Sequence, residues 1–149
     1  MIYAQETMAQ ARAEMEPLFA KHWDEIAWRK DKIPLAPDYV TYEALEAKGV
    51  FKIYTARLDG VLIGYACWFV SPLLHYKTTL CATNDIVYVD PRYRGGTGMR
   101  LVRFSEAELK KLGVQVMGLH IKDCLNWGPL AARAGFERTE ANWHKWIGD

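Results

Sequence analysis

The chain has 149 residues, 50% hydrophobic and 25% charged, with a formal net charge of +1. That is the size and balance of a single globular domain spanning residues 1–149, and it argues against general disorder and against the basic field that nucleic-acid binding requires. The N-terminal run Met1-Ile2-Tyr3-Ala4-Gln5-Glu6 has no basic start followed by an apolar stretch, and no segment reaches the ~18 apolar residues of a membrane span. A cytoplasmic protein without membrane contact is expected.

Cys67, Cys81 and Cys124 are odd in number and widely spaced, which speaks against a disulfide framework. His22, His75, His120 and His144 are equally scattered and show no ligand spacing, so no metal site is expected.

In chain order, Thr7-Met8-Ala9-Gln10 has the form of a capping box and opens a helix whose apolar positions, Met8, Ala11, Met15, Leu18, Phe19 and Ile26, recur at spacings of three and four. Pro17 is expected to kink or divide it, because proline has no amide hydrogen to donate. Residues 28–37 read as a loop. Asp38 or Thr41 caps a second, shorter helix that carries Tyr42 and Leu45 and stops at Gly49. Two strands follow, residues 50–58 and 61–70, joined by the hairpin turn Asp59-Gly60 and ended by Ser71-Pro72.

Residues 82–89 form the next strand and close at Asp90-Pro91. A Gly-rich loop then leads into a helix over 97–112 with an apolar stripe of Leu101, Val102, Leu109 and Leu112. Residues 114–121 are a buried strand, parallel to 82–89 if the crossover has the usual right hand. A short helix begins at Asn126 or Gly128 and ends at Ala134-Gly135, and residues 136–140 with 143–147 make a last hairpin. This order describes an α+β domain, layered α/β/α, with one mixed sheet and a single central crossover.

The chemistry points to Arg94-Gly95-Gly96-Thr97-Gly98-Met99. Between a strand and a helix, successive backbone N–H groups can aim into one concavity while the helix dipole adds positive potential. Three glycines within four residues clear the way for a pyrophosphate, and Arg94 and Arg100 can add charge. The P-loop and dinucleotide fingerprints are both absent, which leaves a phosphate-bearing cofactor bound in mid-domain.

Here the sequence resembles the GNAT N-acetyltransferase family. The resemblance is carried by an ordered series: the hairpin from Phe51 through Asp59-Gly60 to Tyr65, the run Asp85-Ile86-Val87-Tyr88-Val89-Asp90-Pro91-Arg92-Tyr93-Arg94-Gly95, and Ala134-Gly135-Phe136. It implies acetyl-CoA as acyl donor, lying in a V-shaped splay between the family's fourth and fifth strands, here Val87–Val89 against Met117–His120. Its pyrophosphate would rest on the loop amides and its pantetheine would pair with the backbone at Val87, Tyr88 and Val89. The family loop has small residues where Thr97 and Met99 stand in an ungapped alignment, so either the loop shifts by one residue to use Gly96 and Gly98, or the Thr97 hydroxyl and a bent Met99 are accommodated.

The reaction the family implies is direct attack of an amine on the thioester. Asp85, expected on the face of Val87 and Val89, is the first candidate for base or substrate anchor, and a backbone N–H near Tyr88 or Val89 would serve the oxyanion. The family's thiolate-protonating tyrosine corresponds to Ala131, which leaves Tyr88, His120, Cys124 or a water as the acid. His75 and Tyr76, together with Glu25 and Trp28 in the aromatic N-terminal stretch over residues 22–28, are acceptor-side candidates. A non-catalytic acyl-CoA-binding or sensor module is the alternative reading. A mild likeness to acetyltransferases of tailed phages and prophages is also present, and the Trp-rich run Trp143-His144-Lys145-Trp146 could pair across a two-fold in a homodimer.

Overall fold

The computed structural model describes residues 1–148; Asp149, the last residue of the expected domain, lies outside the described residues. Five strands form one sheet in the order β1 (Ile2–Glu6), β2 (Phe51–Leu58), β3 (Val61–Leu73), β4 (Tyr76–Val89) and β5 (Val116–Gly118). The first four pair antiparallel, and β5 joins β4 in parallel. That mixed pattern requires a crossover, which is supplied by helix α3 (Thr97–Lys111).

Helices α1 (Met8–Ile26) and α2 (Tyr39–Ala47) cover one face of the sheet and α3 the other. On the first face Met8, Met15, Leu18 and Phe19 pack on Phe51, Ile53, Tyr65, Cys67 and Tyr88. On the second, Leu101 and Leu109 pack on Tyr54, Ile63, Ala66 and Trp68. Alternation along β2 and β3 thus sends both sets of side chains into protein, which is why these strands read as almost continuous apolar runs.

The local signals fold as expected at several points. The Gln10 amide donates to Thr7 Oγ1 at 3.2 Å and the Thr7 amide to Gln10 Oε1 at 2.8 Å, a complete capping box. Asp38 caps α2 by accepting from the Thr41 amide at 3.0 Å. Asp59 and Gly60 both adopt positive φ, 51° and 85°, as a two-residue hairpin turn demands.

Other expectations are corrected. Pro17 does not divide the first helix, which runs unbroken to Ile26. The Ser71-Pro72 pair does not end β3, because beyond Val70, whose amide meets the Val50 carbonyl, no strand lies on the β2 side and the missing proline amide leaves no rung unfilled. The strand expected at 114–121 is paired only over Val116–Gly118. Residues 136–140 and 143–147 form no strands, since a hairpin at that edge needs a neighbour of matching length and β5 offers three residues. The short helix α4 (Gly128–Arg133) lies where the sequence places it.

Candidate active site

β4 and β5 part company immediately after their last paired residues, Thr83 and Gly118. At the vertex the Asn84 side chain replaces the next rung: its Oδ1 accepts from the His120 amide at 2.5 Å and its Nδ2 donates to the His120 carbonyl at 3.3 Å. A side chain reaches further than a backbone, so this pair pins β5 to β4 while holding it away. The strands therefore splay between Val87–Val89 and the segment after Gly118, whereas Met117 and Gly118, expected to border the gap, are still paired with Ala82 and Thr83.

At its open end β4 closes on Asp90, a nearly buried carboxylate that accepts from the Arg92 amide at 3.1 Å, from the Arg92 side chain at 3.0 Å and from Lys21 Nζ at 2.9 Å. The bond from the Arg92 guanidinium, opposed by desolvation and reinforced by Lys21, holds its pKa well below the ordinary carboxylate range. This anchors the short turn Pro91–Tyr93 that launches the glycine loop.

Gly96 is the N-cap of α3 with φ of 97°, a left-handed conformation that a side chain would strain, and no side chain caps the helix. The Thr97 amide bonds the Arg94 carbonyl at 2.9 Å and the Arg100 amide the Gly96 carbonyl at 3.1 Å. The amides of Gly95, Gly96, Gly98 and Met99 have no partner among the described residues. Four open donors at the positive end of a fifteen-residue helix are an arrangement able to receive an anion. Of the two loop readings, the geometry fits the one that uses Gly96 and Gly98. Thr97 is 2% exposed, its amide is spent internally and its hydroxyl accepts from Arg100 at 3.2 Å, so its expected part as a direct ligand is withdrawn.

Both arginines are engaged elsewhere. Arg100 also reaches the Tyr3 hydroxyl at 3.2 Å. Arg94 is clasped by Glu25 and gives its Nε to the Val89 carbonyl at 3.0 Å. Glu25, expected as an acceptor contact, is thus the counter-ion of the loop, and the Arg94 bond lowers its pKa.

Asp85 does not share a face with Val87 and Val89. The β3–β4 register slips between Cys67 and Trp68, leaving Asp85 as the unpaired residue of a β-bulge, and the bulge turns its carboxylate to the α1/α2 side with Ile86 and Tyr88. There it accepts from the Tyr42 hydroxyl at 3.1 Å. The residue is exposed at its rim, yet enough protein crowds the carboxylate that desolvation raises its pKa, opposed by the Tyr42 bond.

Tyr88 stacks on His22 at 4.8 Å between ring centroids, and its buried hydroxyl has no hydrogen-bond partner. An orphaned donor of this kind is costly unless something else is to occupy the site. Nothing in the sequence singles out His22. It is 6% exposed, bonds the Tyr65 hydroxyl through Nδ1 at 3.0 Å, and is kept neutral by burial, which pulls its pKa down to about 4.

Two spaces meet at His22. A cavity of about 390 Å³ lies between the end of α1, the loop at 28–37 and β4, with Trp28 and Tyr42 in its wall. A narrow cleft of about 10 Å³ runs from His22 along Val87–Val89, beside Glu25 and Arg94, and Leu125 and Trp127 also line it. His120 is tied to the vertex through its backbone, and its exposed imidazole makes no bond among the described residues. His75 and Tyr76 sit at the tip of the β3–β4 hairpin, ten residues and about 30 Å of strand from Ile86, so they take no part in either space. Trp127, whose ring lies 3.1 Å from where a Cβ on Gly98 would be, carries no sequence signal either.

No helix among the described residues is long and apolar enough to cross a membrane, and no group of His, Cys, Asp and Glu among them could hold a metal ion. Several solved structures share the fold across the whole chain. An aminoglycoside acetyltransferase from an uncultured soil metagenomic sample is 14% identical with a TM-score of 0.76, the match covering 99% of this chain and 96% of that one. A predicted acetyltransferase with acetyl-CoA from Clostridium acetobutylicum is 17% identical at 0.71, covering 97% and 94%. Ribosomal-protein-alanine N-acetyltransferase from Brucella melitensis biovar Abortus 2308 is 18% identical at 0.68, covering 100% and 99%. No curated protein matches the sequence, and the likeness to phage acetyltransferases gains no support. Residues 13–136 match the acetyltransferase (GNAT) family, and the chain belongs to that family.

Proposed function

We propose that the protein transfers an acetyl group from acetyl-CoA to a primary amine by direct attack of the amine nitrogen on the thioester carbonyl. The observation that carries this reading is the row of four unpartnered amides at the start of α3, placed at the open end of a strand pair that splays. The seat fits a pyrophosphate through Gly95, Gly96, Gly98 and Met99, and the edge of Val87–Val89 that faces away from β3, where β5 no longer pairs, suits a pantetheine chain. The cleft, lined also by Leu125 and Trp127, has a free volume of about 10 Å³, too small for such a chain, so donor entry requires it to widen.

In this reading the amine must arrive neutral, the carbonyl oxygen must be stabilised as it gains charge, and the departing thiolate takes up a proton. Asp85 accepts the amine proton directly or through water, aided by the desolvation that raises its pKa. A β4 amide near Tyr88 or Val89 serves the oxyanion. The Tyr88 hydroxyl, buried and unpaired, is the proton source for the thiolate; Ala131, at the family's tyrosine position, is buried in α4. Three free cysteines suit a reducing cytoplasm.

The near-closed cleft favours one competing reading, a module that binds acyl-CoA without turnover. Release of free CoA from acetyl-CoA with an amine panel separates the two. Acetyl-CoA at a hundred times its Kd should raise stability by ~2.7 kcal/mol in either case. No thermal shift, or unchanged affinity when Gly96 and Gly98 are each replaced by Leu, would refute the seat.

A further inference from the structure

The 390 Å³ cavity carries information about the acceptor. Its wall is apolar and aromatic, with Phe19, Trp23, Trp28, Leu35 and Ile86, and no carboxylate lines it. Of the acids on neighbouring elements, Glu25 is tied to Arg94, Asp24 to Lys30 and Asp85 to the Tyr42 hydroxyl, while Asp31 and Asp123 lie outside the lining. Among the described residues the only charged side chain in the wall is Lys122, and it has no ion-pair partner. His22 belongs to both the cavity and the cleft, so a molecule in the cavity meets the cleft at that imidazole.

We infer that the cavity holds the acceptor and that the acceptor is a compact α-amino acid with an apolar or aromatic side chain. The side chain lies among Trp23, Trp28 and Leu35, the carboxylate pairs with Lys122, and the amine points past His22 toward the thioester. This rests on the acetyl-transfer reading above. The volume lies near the lower limit of ligand pockets and suits one residue rather than a folded protein segment. A polyamine or aminosugar would bring several ammonium groups into a wall that offers no carboxylate and already holds an ammonium, which leaves charge desolvated without a partner. In the proposed reaction a C–N bond forms as the C–S bond breaks, the amine proton passes to Asp85 or water, and CoA leaves as thiolate to be protonated.

The full chain is titrated with L-phenylalanine, L-leucine, phenylethylamine and spermidine, with binding read from the fluorescence of the wall tryptophans and turnover read separately as CoA release. L-Phenylalanine or L-leucine is expected to saturate the signal, phenylethylamine to bind about tenfold more weakly, and spermidine not to bind. Lys122→Met, at an exposed position, should erase the preference for the carboxylated ligand. Tightest binding by spermidine, no binding by any amino acid, or an equal loss for both phenyl ligands in Lys122→Met overturns the assignment. Amino-acid binding without CoA release would instead sink acetyl transfer and leave the cavity assignment standing, whereas CoA release with spermidine alone would do the reverse.

Discussion

The Glu25 carboxylate holds the Arg94 guanidinium by two hydrogen bonds, 2.8 and 2.5 Å, joining the last turn of α1 to the loop that precedes α3. An acid at a helix C-terminus faces the negative end of the dipole, so Glu25 gains from the guanidinium what its own helix denies it. The same bond draws Arg94 toward α1 and keeps a negative charge near the open amides that precede and begin α3.

Glu25→Gln should therefore tighten acetyl-CoA binding, by about fivefold, by removing that charge and freeing Arg94. Arg94→Ala should weaken it by a similar factor. Because both partners are partly exposed, the pair itself contributes only about 1 kcal/mol to stability. Titration calorimetry with acetyl-CoA checks the opposite signs; equal losses in both variants would show that the pair serves the fold alone.

His22 gives a pH dependence of known sign. Its native pKa of about 4 lies below the ordinary 6.5, so between these values the unfolded chain binds a proton that the native protein refuses. Stability is complete above about pH 6.5 and falls as the pH drops toward 4, by about 2 kcal/mol at pH 5. Urea unfolding at pH 7.5 and pH 5 measures the loss. His22→Phe should flatten this segment, because Asp90, the other strongly shifted group on this face, titrates only at more acid pH.

Tyr42 tests the placing of Asp85. Its hydroxyl donates to the carboxylate and stabilises the ionised form, so Tyr42→Phe should raise the Asp85 pKa further. If Asp85 takes the amine proton, the acid limb of kcat/KM moves to higher pH in Tyr42→Phe and disappears in Asp85→Asn. An unmoved acid limb in both variants assigns the proton transfer elsewhere.

Those features that depend on neighbours in sequence are legible in the chain itself. The Thr7 and Asp38 caps, the Asp59-Gly60 turn, the glycine loop and the β4–α3–β5 crossover all declare themselves within a few residues. What the chain hides depends on distant partners. β1 reads as featureless because Ala4, Gln5 and Glu6 lack β-propensity; it exists because β2 has a free edge and Arg57 meets Glu6 at 2.8 Å. Asp85 falls on the wrong face by period-two counting, which fails across a bulge, and only pairing with Cys67 and Trp68 reveals the slip. His22 reads as one scattered histidine among four because only the fold brings Tyr65, Tyr88 and both spaces around it.

Asn84 carries the last prediction. It is 7% exposed, and its amide makes both bonds that hold His120 at the vertex of the splay. Asn84→Ala removes both and leaves the His120 backbone without its partners, a loss of about 2 kcal/mol. Asn84→Asp keeps the acceptor, loses the donor and buries a charge, so it should be the less stable of the two. With the vertex loosened, the segment after β5 is no longer held at a fixed distance from Val87–Val89, and the splay loses its defined spacing. KM for acetyl-CoA should then rise more than kcat falls in Asn84→Ala. Chemical unfolding together with steady-state kinetics measures both effects, and an unaltered KM in a destabilised variant would reduce Asn84 to a purely structural bond.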